Sequence, residues 1–144
     1  MASTSHPAAP AATARSAATA VDLVKVFGSG ATHVRALDRV TVGFTHGRFS
    51  AIMGPSGSGK STLMHCMAGL DTVTEGQVFI GDVDLTTLDD KDLTLLRRDR
   101  VGFIFQSFNL IPTLTAYENI TLPLAIAGRK PDPAWLDTVV EAVG

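Results

Sequence analysis

Nine consecutive residues, Gly54 to Thr62, read GPSGSGKST and constrain this chain more than any other stretch. The spacing Gly54, four residues, Gly59, Lys60, Ser61 is that of a loop that closes round phosphate. Glycines let the backbone curl so that N–H groups converge on phosphate oxygens, and a helix starting immediately afterwards adds its positive end. Lys60 is the expected charge contact to the outer phosphates, Ser61 the expected hydroxyl ligand to Mg²⁺, and Thr62 a donor to another phosphate. The flanks agree: Phe49 to Met53 is an apolar run that predicts a strand. Ser61 to Leu70 predicts a helix with Leu63, Met67 and Leu70 along one face. A flexible loop of small residues with a solvated lysine has no need of this spacing. A dinucleotide-binding turn competes poorly, because Lys60 and Ser61 suit a triphosphate with a metal.

The 144 residues fall within the size of one domain. Twelve basic and 14 acidic side chains leave a formal charge of -2, so bulk electrostatics gives no reason to expect nucleic acid as a partner. Cys66 is the only cysteine, which excludes an internal disulfide and a thiolate metal cluster and fits a cytosolic setting. Residues 1–20 are almost entirely Ala, Ser, Thr and Pro and predict a disordered leader, with the folded domain over 21–144. The leader lacks the continuous apolar stretch of a secretion signal. No later segment approaches transmembrane length without charges, so a membrane role would come through a partner.

Organisation follows the turn residues. VDLVKVF, the break GSGATH and VRALDRVTVGF predict a hairpin-like pair at the start of the domain. Gln77 to Leu85 is extended and Asp89 to Arg100 predicts a charged surface helix. Val101 to Phe105 predicts a strand buried on both faces, which places Gln106 where strand gives way to loop. Pro112, Pro123 and Gly128 break the apolar stretch after it into short helices and loops. Asp132 and Pro133 form a cap and first position for a last helix, with Trp135, Val139 and Val143 as its apolar stripe.

Other residues invite readings that their spacing does not support. Adjacent His65 and Cys66 do not face one another on a helix and have no third ligand nearby, so helix packing is favoured over a metal site. Asp82, Asp84, Asp89, Asp90 and Asp92 lack the order and glycine of a calcium loop and read as solvated turns. Arg97, Arg98 and Arg100 read as a charged helix end rather than a phosphate or nucleic-acid contact.

Taken together, GPSGSGKSTLMHCMAGLD, RRDRVGFIFQSFNLIPTLTAYENITLPL and VRALDRVTVGF resemble the ATP-binding domain of ATP-binding cassette transporters. The branch serving lipoprotein release and macrolide export is the nearer likeness, over roughly residues 21–144. The resemblance implies an α/β P-loop nucleoside triphosphatase fold of the cassette type, incomplete, with N-terminal antiparallel β elements and part of the helical subdomain. It implies ATP and Mg²⁺ as ligands and makes Gly54, Pro55, Ser56, Gly57, Ser58, Gly59, Lys60, Ser61 and Thr62 the phosphate loop. Gln106 becomes the residue that approaches Mg²⁺ and the attacking water and transmits nucleotide state to the membrane partner. Phe27 takes the place of the aromatic that packs on adenine, commonly tyrosine in the family. From the residues alone Phe27 would be a strand-end core aromatic and Gln106 a polar strand-end residue.

The same resemblance implies a membrane permease and a second cassette domain, paired head to tail, as partners, and no nucleic acid. The protein would sit in the cytoplasm, held peripherally at the inner face of the cell membrane by the permease. Pro112 to Leu124 is the expected partner surface. The family's Ser- and Gly-rich signature segment, its second strand ending in Asp, the catalytic Glu after it and a later switch His do not occur in these residues. The expectation is therefore a chain that binds nucleotide and does not hydrolyse it alone. Two other readings carry less support: a noncatalytic nucleotide-responsive mechanotransmission module, and a small P-loop kinase, which the extended GFIFQSFNLIPTLTAYENITLPL match disfavours.

Overall fold

The computed structural model describes residues 16–107 and 109–143. The chain divides into two units, residues 1–88 and 89–144.

The first unit is built on a four-stranded antiparallel sheet of strand order β2-β1-β3-β4, made by β1 (Ser16–Phe27), β2 (Val34–Thr45), β3 (Glu75–Ile80) and β4 (Val83–Asp84). The predicted hairpin is β1 and β2, paired from Ser16 opposite Thr45 to Phe27 opposite Val34. β1 lies between β2 and β3, and from Ala18 to Val24 it pairs on both sides, as a buried strand requires. A bulge interrupts it at Asp22, where φ is +46° and the amide donates to Thr41 Oγ1 at 2.9 Å. That bulge pushes two carbonyls toward β3. A Cβ on Gly76 would lie 2.4 Å from the Asp22 oxygen and 2.6 Å from that of Val21, so only glycine fits there.

One helix, α1 (Lys60–Met67), packs against β1, β2 and β3. Its inward face is Leu63, Cys66 and Met67, which with Ala20, Leu23, Val24, Leu37, Val78 and Leu85 form the core. The helix stops short of the predicted Leu70 because Gly69 takes φ +66° and closes it with a paired turn. Leu70 N–H donates to the His65 carbonyl at 2.9 Å and Gly69 N–H to that of Cys66 at 3.0 Å.

The second unit carries α2 (Asp90–Arg100), α3 (Ala116–Ile126) and α4 (Pro133–Val143). α2 is the predicted charged helix, and Asp89 caps it by accepting from Asp92 N–H at 2.8 Å. α3 starts with a capping box: Thr115 Oγ1 accepts from Glu118 N–H at 3.2 Å and Glu118 Oε2 accepts from Thr115 N–H at 2.7 Å. Backbone donation from Thr115, then its hydroxyl, holds the Glu118 carboxyl below its ordinary range. α4 begins as predicted, with Asp132 Oδ1 accepting from Ala134 N–H at 3.0 Å and Pro133 in the first position. None of the described residues of this unit is buried.

Three expectations need correction. β1 begins at Ser16, inside the predicted leader, and Ala20 is completely buried, while residues 1–15 lie outside the described residues. Phe49 to Met53 is not a strand, and Phe49 is 99 % exposed. Val101 to Phe105 is not a strand either, although Phe103 and Phe105 stack at 5.5 Å with Ile104 fully exposed, the alternation of an extended chain. The physical reason is common to both: a strand buried on two faces is held by neighbouring strands. Among the described residues the four strands of the sheet pair only with one another.

Candidate functional site

The stretch from Gly54 into α1 is shaped by three glycines with positive φ: Gly54 (+155°), Gly57 (+78°) and Gly59 (+83°). Ser58 N–H closes a tight turn on the Pro55 carbonyl at 3.3 Å. Gly59 precedes α1, and a Cβ there would lie 2.5 Å from the Ala36 carbonyl oxygen and 3.2 Å from Leu37 Cδ2. The loop is thus laid directly on the backbone of β2, and the helix starts from that contact.

No side chain caps α1. Leu63 N–H is the first amide bonded within the turn, donating to the Gly59 carbonyl at 2.8 Å, so the amides of Lys60, Ser61 and Thr62 point beyond the helix with its positive end. Lys60 extends back over the loop and donates to the carbonyls of Gly54 at 2.9 Å and Pro55 at 2.6 Å and to Ser58 Oγ at 3.3 Å. Those neutral oxygens hold the ammonium above the glycine turn. An anionic oxygen is a stronger acceptor for the same donors, so a phosphate can displace them. Ser61 and the Ser56 side chain are exposed, and Thr62 is half-buried at the start of α1. The residues present therefore fit a polyphosphate: clustered amides, one ammonium, exposed hydroxyls, and glycines where a Cβ would fill the cradle.

Phe27 ends β1 in the same unit and leaves 42 % of its surface exposed. Gln106 belongs to the second unit, exposed and at a bend after Phe105. Among the acidic residues, Asp84 accepts from Thr86 N–H at 2.9 Å, Thr86 Oγ1 at 2.6 Å and Gln77 Nε2 at 2.7 Å. Burial raises its pKa, yet the donors from Thr86 and Gln77 together outweigh that and leave it lowered. His65 is exposed, whereas Cys66 is buried and its thiol is pushed up first by burial and then by Asp71, with Lys25 opposing. In the second unit, Leu110, Ile111, Pro112, Leu114 and Ile120 line an apolar hollow of about 530 Å³. Asn119 pins its rim, accepting from Ile111 N–H at 2.8 Å and donating to the carbonyls of Ile111, Leu114 and Thr115.

One feature of the first unit had no motif to announce it. Lys25 is the one buried charged residue among the described residues, paired with Asp71 at 2.6 Å. The only sequence signal is a charge inside the apolar run VDLVKVF.

Known proteins share this sequence pattern and fold. The family model described as ABC transporter matches residues 37–144. The ABC transporter ATP-binding protein MJ0796 of Methanocaldococcus jannaschii is 48% identical over 108 residues, 75% of this chain and 46% of that protein. The macrolide export ATP-binding/permease protein MacB of Marinobacter nauticus is 46% identical over 110 residues, 76% of this chain and 17% of that protein. A solved dimeric structure of the ATP-binding cassette MJ0796, in a post-hydrolysis state bound to ADP and Pi, matches with a TM-score of 0.73 and 44% identity. That match covers 80% of this chain and 50% of the other. The chain thus spans half or less of the length of these relatives. With the match over residues 37–144, the shared α/β fold and the glycine loop leading into α1, this chain belongs to the ABC transporter family and carries an ATP-binding domain sequence.

Proposed function

We propose that this chain is the phosphate-binding part of a transport ATPase that couples binding and hydrolysis of Mg-ATP to a membrane permease of the export or lipoprotein-release type. The observation that carries the reading is the convergence of the Lys60 ammonium and the uncapped start of α1 on one glycine loop. Lys60 holds the outer phosphates, the amides of Lys60 to Thr62 donate to their oxygens, and Ser61 offers its hydroxyl to Mg²⁺. Mg²⁺, when bound, would supply positive charge that offsets the negative charge of the phosphates. Phe27 stacks on adenine and Gln106 links nucleotide state to the permease. The branch follows the likeness to proteins named for macrolide export. The permease contact falls on the apolar hollow around Ile111 and Ile120, and pairing with a second cassette follows the dimeric relative. Such a chain works at the cytoplasmic face of the membrane. In this reading the permease provides the anchor; no helix among the described residues is long and apolar enough to cross a membrane.

Turnover depends on groups that residues 1–144 do not carry in the family's pattern, the signature segment and the Asp–Glu pair. Purified chain given Mg-ATP will show no sustained hydrolysis. Joined to the C-terminal half of the Methanocaldococcus jannaschii relative it will hydrolyse ATP, and Lys60→Ala will abolish that activity. Multiple turnovers by residues 1–144 alone, lost in Lys60→Ala and resistant to further purification, would overturn this part of the reading.

A further inference from the structure

Lys25 Nζ is surrounded on three sides. It donates to Asp71 Oδ1 at 2.6 Å and to the Thr72 carbonyl at 2.6 Å, and it stands 4.8 Å from the centroid of the Phe27 ring. An ammonium has three donors; two are spent on oxygens and the third side meets the ring. Lys25 and Phe27 are two apart on β1, which puts both side chains on one face of the strand. Because Lys25 is buried and Phe27 is part-exposed, the ring face toward Lys25 is the protein side.

Asp71 is fixed in turn by the end of α1: its amide donates to the His65 carbonyl at 3.3 Å, two residues after the glycine that closes the helix. The same helix begins at Lys60. An unbroken path therefore runs from the Phe27 ring through Lys25 and Asp71 along α1 to the phosphate loop. A buried ion pair is weak evidence of stability, since desolvation offsets its attraction, and an apolar side chain would suit the core as well. The placement of this one is better explained by what it holds.

We propose that Lys25 is a positioning residue for the base of the bound nucleotide, fixing the Phe27 ring as a platform at a set distance from the phosphate loop. The inference rests on the ATP-binding reading above, and its ligand class is a nucleotide with a purine base. A cation behind the ring also draws π density from the face offered to the base, which favours an electron-rich purine.

The test compares Mg-ATP with Mg-tripolyphosphate, which has the phosphates and no base, by calorimetry on the whole chain. Lys25→Met is expected to weaken ATP about fivefold, a part of what a base stacked on an aromatic ring is worth, and to leave tripolyphosphate unchanged. Lys25→Arg is expected to restore ATP affinity, because a guanidinium can pair with Asp71 and stack on the ring together. If Lys25→Met does not fold, Asp71→Asn, which leaves the ammonium its Thr72 carbonyl, should show the same split at smaller size. Equal losses for both ligands would make Lys25 a plain structural strut and overturn the proposal, as would undiminished ATP affinity in a folded Lys25→Met. Wild-type chain that binds neither ligand would sink the ATP-binding reading itself, and this inference with it.

Discussion

Gly59→Ala will destabilise the first unit by about 3 kcal/mol, whereas Gly57→Ala, two residues away in the same loop, will cost about 1 kcal/mol. Both glycines have left-handed φ, +83° and +78°, so both substitutions carry the conformational penalty of an L-residue there. They differ in what the new methyl meets. At Gly57 nothing lies within 4 Å; at Gly59 the Ala36 carbonyl oxygen is 2.5 Å away. That oxygen cannot retreat cheaply, because Ala36 belongs to β2 between Arg35 and Leu37, which pair with Val26 and Lys25 of β1. Denaturant unfolding of the two variants beside wild type checks this. Equal losses would mean that the loop is not held against β2.

Lys60→Ala will weaken ATP binding by about 100-fold, the value of one to two charge-assisted hydrogen bonds lost from a polyphosphate. The loss should appear in affinity and not in folding, since the Lys60 contacts are exposed bonds within the loop. Calorimetric titration at one fixed salt concentration, with unfolding curves for both proteins, separates the two effects. Identical affinities would remove Lys60 from the phosphate site.

What could be read in advance tracks how local the physics is. The start of α4 at Asp132 and Pro133, the cap of α2 at Asp89 and the β1–β2 pair rest on contacts a few residues long or on turn chemistry, and the structure has them where the residues put them. The turns of the glycine loop and the start of α1 belong to the same class, because Gly54 to Lys60 are contiguous. Phe49–Met53 and Val101–Phe105 fail as strands for a non-local reason: apolar runs specify a buried strand only when neighbours exist to pair with it. The early end of α1 is legible too, since GL after a helical run at Gly69 and Leu70 is a stop signal as well as a continuation of the stripe. Lys25 could not be assigned from sequence, because its partners Asp71 and Thr72 lie 46 and 47 residues away and only the fold brings them together. Gln106 and Phe27 have no local code of their own: each ends an apolar run and each is exposed.

If ATP binds at the glycine loop from Gly54 to Thr62, amide hydrogen exchange of the chain with and without Mg-ATP will register the contact residue by residue. Exchange is expected to slow at Lys60 to Thr62, where amides turn from solvent to phosphate oxygens, and to lose that slowing in Lys60→Ala. ATP that binds with protection elsewhere and none across this loop would contradict it.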